Sequence, residues 1–244
     1  MTKKPTKPDS SPNLHYDAIL GEISIVIDEA RKSAARSINC IMTAAYWLIG
    51  RRIVEFEQRG KARAQYGKAL LAKLSDDLTR QYGRGFGKVN LSQMKKFYLL
   101  WAPERIFQTL SEELLSGESM QDNRTILQTA SEKSQPPGTV LHTITGYFPL
   151  PWSTYVRLLS VKNEHARQFY ETEALRAGWS VRQLDRQINS QFYERTALSK
   201  NKAAMLNKGQ KALRKDRVLP EEEIKDPFVL EFLGLKDEYS ETDI

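Results

Sequence analysis

Apolar residues recur along most of this chain at steps of three and four. Ile19, Ile23, Val26, Ile27 and Ala30 set the pattern, and Ile38, Ile41, Ala45, Leu48, Ile53 and Phe56 resume it. That spacing puts side chains on one face of an α-helix. No Pro or Gly interrupts residues 22–49, so the pattern predicts one very long helix, or two in close succession, ending near Gly60. A further helix is expected from about Tyr66 to Tyr82 on Leu70, Leu71, Leu74 and Leu78. It stops at Gly83-Arg84-Gly85-Phe86-Gly87, whose glycines admit the positive φ of a sharp turn. Asn90, with Gln93 three residues on, reads as the N-cap of the next helix, which carries Leu91, Met94, Phe97 and Tyr98 up to Pro103.

A short helix is expected from Pro103 to Leu115, followed by a polar stretch without helical period over about 117–147. Only Thr139 to Phe148 alternates like a strand, and a two-stranded patch there would be marginal. Helices are expected again at Trp152–Val161, at Asn163–Ala177 and from Ser180, a second N-cap with Gln183 at its third position, to about Ser199. Gly178 ends the helix before it. The expected fold is therefore all-α, a helical bundle with little or no sheet, and no internal repeat suggests a solenoid.

Charge adds an asymmetry to this picture. The net charge is +7, yet residues 218–244 hold nine acids against Lys225 and Lys236, a net of −7. The first 217 residues thus hold 35 basic and 21 acidic side chains, a net of +14, which suits a polyanionic partner. Residues 1–13 read as a flexible basic arm, 14–199 as the helical domain, and 200–244 as a basic, then acidic, tether. A block of like charge is in most proteins merely solvated, and Arg195 to Arg217 reads that way too. The longest apolar runs are a few residues, too short for a membrane span, and no secretory signal pattern opens the chain. The single Cys40 fits a reducing compartment, which makes the cytoplasm the expected location.

Candidate chemistry is sparse. His15, His142 and His165 lie in separate regions without a metal motif, and Cys40, beside Ile38 and Ile41, reads as a small buried hydrophobe. Asp76-Asp77 and Glu112-Glu113 point to different helix faces, so neither is a cooperating pair. No catalytic residue, metal site or cofactor is assigned. The glycine turn lacks the preceding strand and the lysine of a phosphate loop. Joined to its flanks, however, it gives helix, tight turn and polar second helix, an order shared by a helix-turn-helix and by an ordinary helical hairpin with a solvated outer face. Arg84 and Lys88 would then meet phosphates, and Asn90, Ser92, Gln93, Lys95 and Lys96 would face base edges or backbone.

A second such unit runs from the helix at Asn163–Ala177 through Gly178 to Arg195. Val181, Leu184, Ile188 and Phe192 form its inward seam, and Arg182, Gln183, Arg186, Asn189 and Arg195 supply candidate contacts around the rest. Arginines in such an array suit DNA or an acidic protein partner equally. Trp152, Tyr155 and Trp179 read as packing residues rather than base-stacking platforms.

Several segments together resemble the N-terminal region of the YhcG family, bacterial proteins regarded as PD-(D/E)XK nucleases. They are Tyr46-Trp-Leu-Ile-Gly50 with Ile53; Tyr82-Gly-Arg-Gly-Phe86 with Asn90-Leu91 and Phe97-Tyr98; Phe148-Pro-Leu-Pro-Trp-Ser-Thr-Tyr155; and Phe169-Tyr-Glu-x-Glu-Ala through Gly178-Trp-Ser-Val-Arg-Gln-Leu to Tyr193-Glu-Arg195. Asp226-Pro-Phe-Val-Leu-Glu-Phe-Leu-Gly234 resembles the lead-in to the family's nuclease half. The family's metal-binding acid and D/E-x-K residues would follow Tyr239-Ser-Glu, so the resemblance carries no catalytic position onto this chain. It implies a DNA-docking helical domain that does not cut by itself, with 200–244 leading toward a nuclease domain. The competing expectation is a protein-interaction or oligomerisation module in which the long helices of Leu14 to Arg59 form an intermolecular bundle.

Overall fold

The structure, a computed structural model, describes residues 11–58, 64–102, 137–210 and 227–233. The described residues contain helices and no strand. They form α1 (Ser11–Gln58), α2 (Ala64–Tyr82), α3 (Lys88–Leu100), α4 (Pro137–Thr145) and α5 (Trp152–Leu158). There follow α6 (Glu164–Ala177), α7 (Val181–Asn189), α8 (Phe192–Leu198), α9 (Lys202–Gln210) and α10 (Pro227–Leu233).

The long apolar pattern at the start is one continuous helix of 48 residues. From Ala35 onward α1 enters the body, burying Met42, Ala44, Tyr46, Trp47, Ile53 and Val54. It packs most extensively on α3, and the reason is partly Gly50. A Cβ there would lie 2.1 Å from the Met94 carbonyl oxygen and 3.1 Å from Tyr98 Cβ, so the two helices approach at a distance only glycine permits.

Around that contact gathers an aromatic core. Phe97 meets Trp101, Phe148, Trp152 and Tyr155 in tilted or edge-on contacts at 4.9–5.4 Å between ring centroids, and Trp47 meets Tyr98 edge-on at 5.0 Å. A buried indole needs an acceptor for its N–H. All four tryptophans find one: Trp47 donates to the Trp101 carbonyl (2.8 Å), Trp101 to the Glu171 carboxylate (2.9 and 3.0 Å), Trp152 to Asn90 Oδ1 (3.0 Å) and Trp179 to the Gly209 carbonyl (3.1 Å). These bonds tie α1, α3, α5, α6 and α9 into one core.

Three sequence expectations change. The alternating stretch Thr139 to Phe148 is helical over α4, and Ile144 and Phe148 are buried. Leu141 and Ile144 stand three residues apart, a step that shares one face of a helix but not of a strand, and packing against α1 selects the helix. The end of the stretch read as a polar linker is thereby part of the body. The single helix expected from Ser180 to Ser199 is instead α7 and α8, divided at Gln191, whose φ of 53° and ψ of 47° are left-handed. The break turns Phe192 into the core, and the Tyr170 hydroxyl serves the backbone groups it frees, accepting from Tyr193 N (3.1 Å) and donating to Gln187 O (3.4 Å).

Finally, residues expected only as a tether contribute to the packing. Gly209 sits against the Phe192 ring, and Val229 of α10 is buried while Phe232 meets Tyr46 edge-on at 5.9 Å. Of the arm read at 1–13, residues 11–13 open α1 and 1–10 lie outside the described residues, as do the helix expected at Pro103–Leu115 and most of the charged stretch beyond residue 210.

Candidate nucleic-acid interface

The first glycine turn forms as its composition requires. Gly83 and Gly85 take φ of 82° and 93°, and Gly83 N donates to Thr79 O at 3.0 Å, closing α2. Arg84 and Lys88 are exposed on it, as are Ser92 and Lys96 one and two turns along α3. Gln93 and Lys95 are half-buried, and Lys95 reaches back to Glu57 of α1 at 2.5 Å.

Asn90 is a correction. It is not the N-cap, because α3 begins at Lys88 behind an extended Gly87. Nor does it face outward: its Nδ2 donates to Gly85 O at 2.5 Å, and its Oδ1 accepts from the Trp152 indole. Both ends of the amide are spent on holding the turn to the core. Gln183 is corrected likewise. It is buried, and its Nε2 donates to Gly209 O (3.1 Å), a carbonyl that also receives Trp179 Nε1 and Gln187 Nε2. Neither side chain is available to a ligand while this packing stands.

The second unit has the caps expected of it. Gly178 is left-handed (φ 62°), and Ser180 Oγ accepts from Gln183 N at 3.2 Å, starting α7. The outer side of α7 faces the end of α5 across an open depression lined by Arg157, Val181, Arg182, Asp185, Arg186, Asn189 and Ser190. Arg157 is its hub. Its Nε lies 2.5 Å from Asp185 Oδ1, its Nη2 donates to Asn189 Oδ1 at 2.8 Å and its Nη1 to Ser160 Oγ at 2.5 Å. Asn189 Nδ2 in turn donates to Asp185 Oδ2 at 2.9 Å. Arg182 is exposed beside this network, Arg186 is half-buried, and Arg195 donates to Ser190 Oγ at 2.9 Å with its guanidinium 5.7 Å from the Phe192 ring.

The two units share a scaffold that their separation in sequence conceals. Lys96 of α3 donates to Leu159 O at 2.7 Å, within the turn that closes α5, while Arg157 of the same turn holds α7. Arg167 of α6 donates to Val161 O in that turn at 3.1 Å. Residues 157–161 therefore fix the outward groups of α3 and α7 relative to each other. Sequence reading missed Arg157, because its partners Asp185 and Asn189 on α7 lie about thirty residues away, and with it Ser160, which joins the network only through Arg157.

Other chemistry is limited. Among the described residues no group of three His, Cys, Asp or Glu side chains is placed to hold a metal ion, and no helix is long and apolar enough to cross a membrane. Burial pushes the Cys40 thiol above its usual range, which lowers its thiolate fraction.

Comparison with known proteins bears on these blocks directly. Residues 22–195 match the family model described as the DUF1016 N-terminal domain, a span that contains both glycine-turn units and the Arg157 network. A relative from Escherichia coli (strain K12), described as "Putative nuclease YhcG", is 54% identical over 229 residues, covering 93% of this chain and 58% of its own length. This chain thus spans somewhat over half of that relative, and no solved structure matches it. On these grounds the chain belongs to the DUF1016 family that includes YhcG, and it carries that family's N-terminal domain.

Proposed function

We propose that this chain is a DNA-docking helical domain of a nuclease, which binds duplex DNA without cutting it and works in the cytoplasm. The observation that carries the reading is the shared scaffold at residues 157–161. It presents basic groups of two helix–glycine turn–helix units on a preset frame, which reduces the side-chain ordering that binding would otherwise demand. The surplus of +14 over the first 217 residues supports a polyanionic partner, and the relative's description supports a nucleic acid as that polyanion. Under this reading Arg84, Lys88 and Arg182 meet phosphates and Ser92 lies nearer the groove, while Lys96 and Asn189, bonded to Leu159 and to Arg157 and Asp185, hold the frame. Bond cleavage is assigned to the part of the relative that this chain does not span.

Lys88→Ala and Arg182→Ala test it, since both residues are exposed and stand apart from the Arg157 network. Each lost phosphate contact should lower the slope of log affinity against log salt by about one. The double variant is expected to bind duplex more weakly at low salt, with a slope reduced by about two. A folded double variant with unchanged affinity and slope would remove both units from the interface.

A further inference from the structure

Only part of the long apolar pattern of α1 is used inside the molecule. From Ala35 onward the helix is covered, but Tyr16, Ile19, Leu20, Ile23, Val26 and Ile27 are 46–67% exposed. At 100° per residue these six fall within an arc of about 120°, which Ala30 and Ala34 extend toward the body and no charged residue enters. The stretch 16–34 is about 28 Å of helix with this apolar face, and Ile25, 63% exposed, stands alone on the opposite side. Several of its residues are β-branched and weak helix formers, so it gains little from local propensity. Such a face on a soluble chain marks an interface.

The order of charges along the helix, of which Asp17, Glu22 and Arg31 flank the face, indicates what covers it. Asp17, Glu22, Asp28 and Glu29 come first, without a base among them; Arg31, Lys32 and Arg36 follow, without an acid. A second copy laid alongside in parallel would set acid against acid and base against base. Laid antiparallel, it sets the acidic end of each helix against the basic end of the other. It also brings the large Ile19 and Ile23 of one copy toward the small Ala30 and Ala34 of its partner. Covering the six side chains on both copies removes roughly 1,200 Å² from water, at the lower edge of stable interfaces. We infer that two copies of this chain pair antiparallel through residues 16–34 of α1. The inference is independent of DNA binding.

Light scattering on the full chain after gel filtration, at about 10–100 µM, reads the pairing. The expected mass is twice 28.0 kDa, falling to a single copy in Ile23→Ser/Val26→Ser while the fluorescence of the buried tryptophans stays native. Asp17→Lys/Glu22→Lys should weaken the dimer at least tenfold, and adding Arg31→Glu/Arg36→Glu to the same chain should restore it. A monomeric wild type overturns the inference, and adsorption of that monomer to anionic vesicles would assign the face to lipid instead. A dimer that survives Ile23→Ser/Val26→Ser overturns the interface, and one indifferent to the Asp17 and Glu22 reversals overturns the antiparallel arrangement.

Discussion

Replacing Asn90 with alanine separates a structural residue from a ligand-binding one. The wild-type amide makes two hydrogen bonds, Nδ2 to Gly85 O at 2.5 Å and Trp152 Nε1 to Oδ1 at 3.0 Å. Their loss is unequal. The Gly85 carbonyl sits in a half-buried turn and regains water, whereas Trp152 is fully buried and its indole N–H is left without an acceptor. An unsatisfied buried donor costs about 1–3 kcal/mol, and the Gly85 bond adds roughly 0.5–1 kcal/mol. Alanine returns about 0.5 kcal/mol through its better helix propensity. The net expected destabilisation is about 2 kcal/mol, which at an m value of roughly 2–3 kcal/mol/M lowers the urea midpoint by about 0.7–1 M. Urea unfolding followed by far-UV circular dichroism reads it. Trp152→Phe should cost less in the Asn90→Ala background than alone, with a coupling of about 1 kcal/mol, because the bond is already gone. Held cold enough to stay folded, Asn90→Ala should bind duplex with the wild-type salt slope. A wild-type urea midpoint combined with a slope lowered by one would refute the assignment and return Asn90 to the interface.

Other consequences follow from the same packing. Gly50→Ala would place a methyl carbon 2.1 Å from the Met94 carbonyl oxygen, so α1 and α3 must separate; thermal melting should show a net loss of about 2 kcal/mol despite the roughly 1 kcal/mol that alanine gains within a helix. Ser180→Ala removes the cap of α7 and should cost about 1 kcal/mol in the same melt, whereas a change under 0.3 kcal/mol would mean that the cap is dispensable. Arg157→Ala leaves Asp185 as an uncompensated carboxylate beside the proposed phosphate path, and should therefore weaken duplex binding more than Arg182→Ala. Because burial raises the Cys40 thiol pKa, its alkylation rate should climb toward plateau at a higher pH than that of a free thiol, and match the free thiol once urea unfolds the chain.

What the sequence disclosed was local. The glycines at 83, 85 and 178 and the Ser180 cap are set by residues within a few positions of each other, and each is found where spacing predicts it. The first helical stretch was legible because no Pro or Gly interrupts residues 22–49, although the gap in large apolar residues between Ala30 and Ile38 left one helix or two open. What stayed hidden depends on distant partners. The break at Gln191 has no glycine or proline to announce it, and the Tyr170 hydroxyl that supports it lies more than twenty residues upstream. Asn90 and Gln183 have the composition of contact residues, and only the indole of Trp152 and the carbonyl of Gly209 draw them inward. Arg157 is one arginine in a short helix until α7 is laid against it.

The central claim is that the units at α3 and α7, rather than the basic stretch from Lys200 to Arg217, dock on duplex DNA. Its most direct test is binding of the full chain to a labelled random-sequence duplex across a salt series, repeated with Lys200, Lys202, Lys208, Lys211, Arg214, Lys215 and Arg217 changed to glutamine. The account predicts affinity that falls steeply with salt, retains most of its slope in the glutamine variant and loses about two units of it in Lys88→Ala/Arg182→Ala. Absence of binding by the wild type at low salt, or binding abolished by the glutamine changes alone, would contradict it.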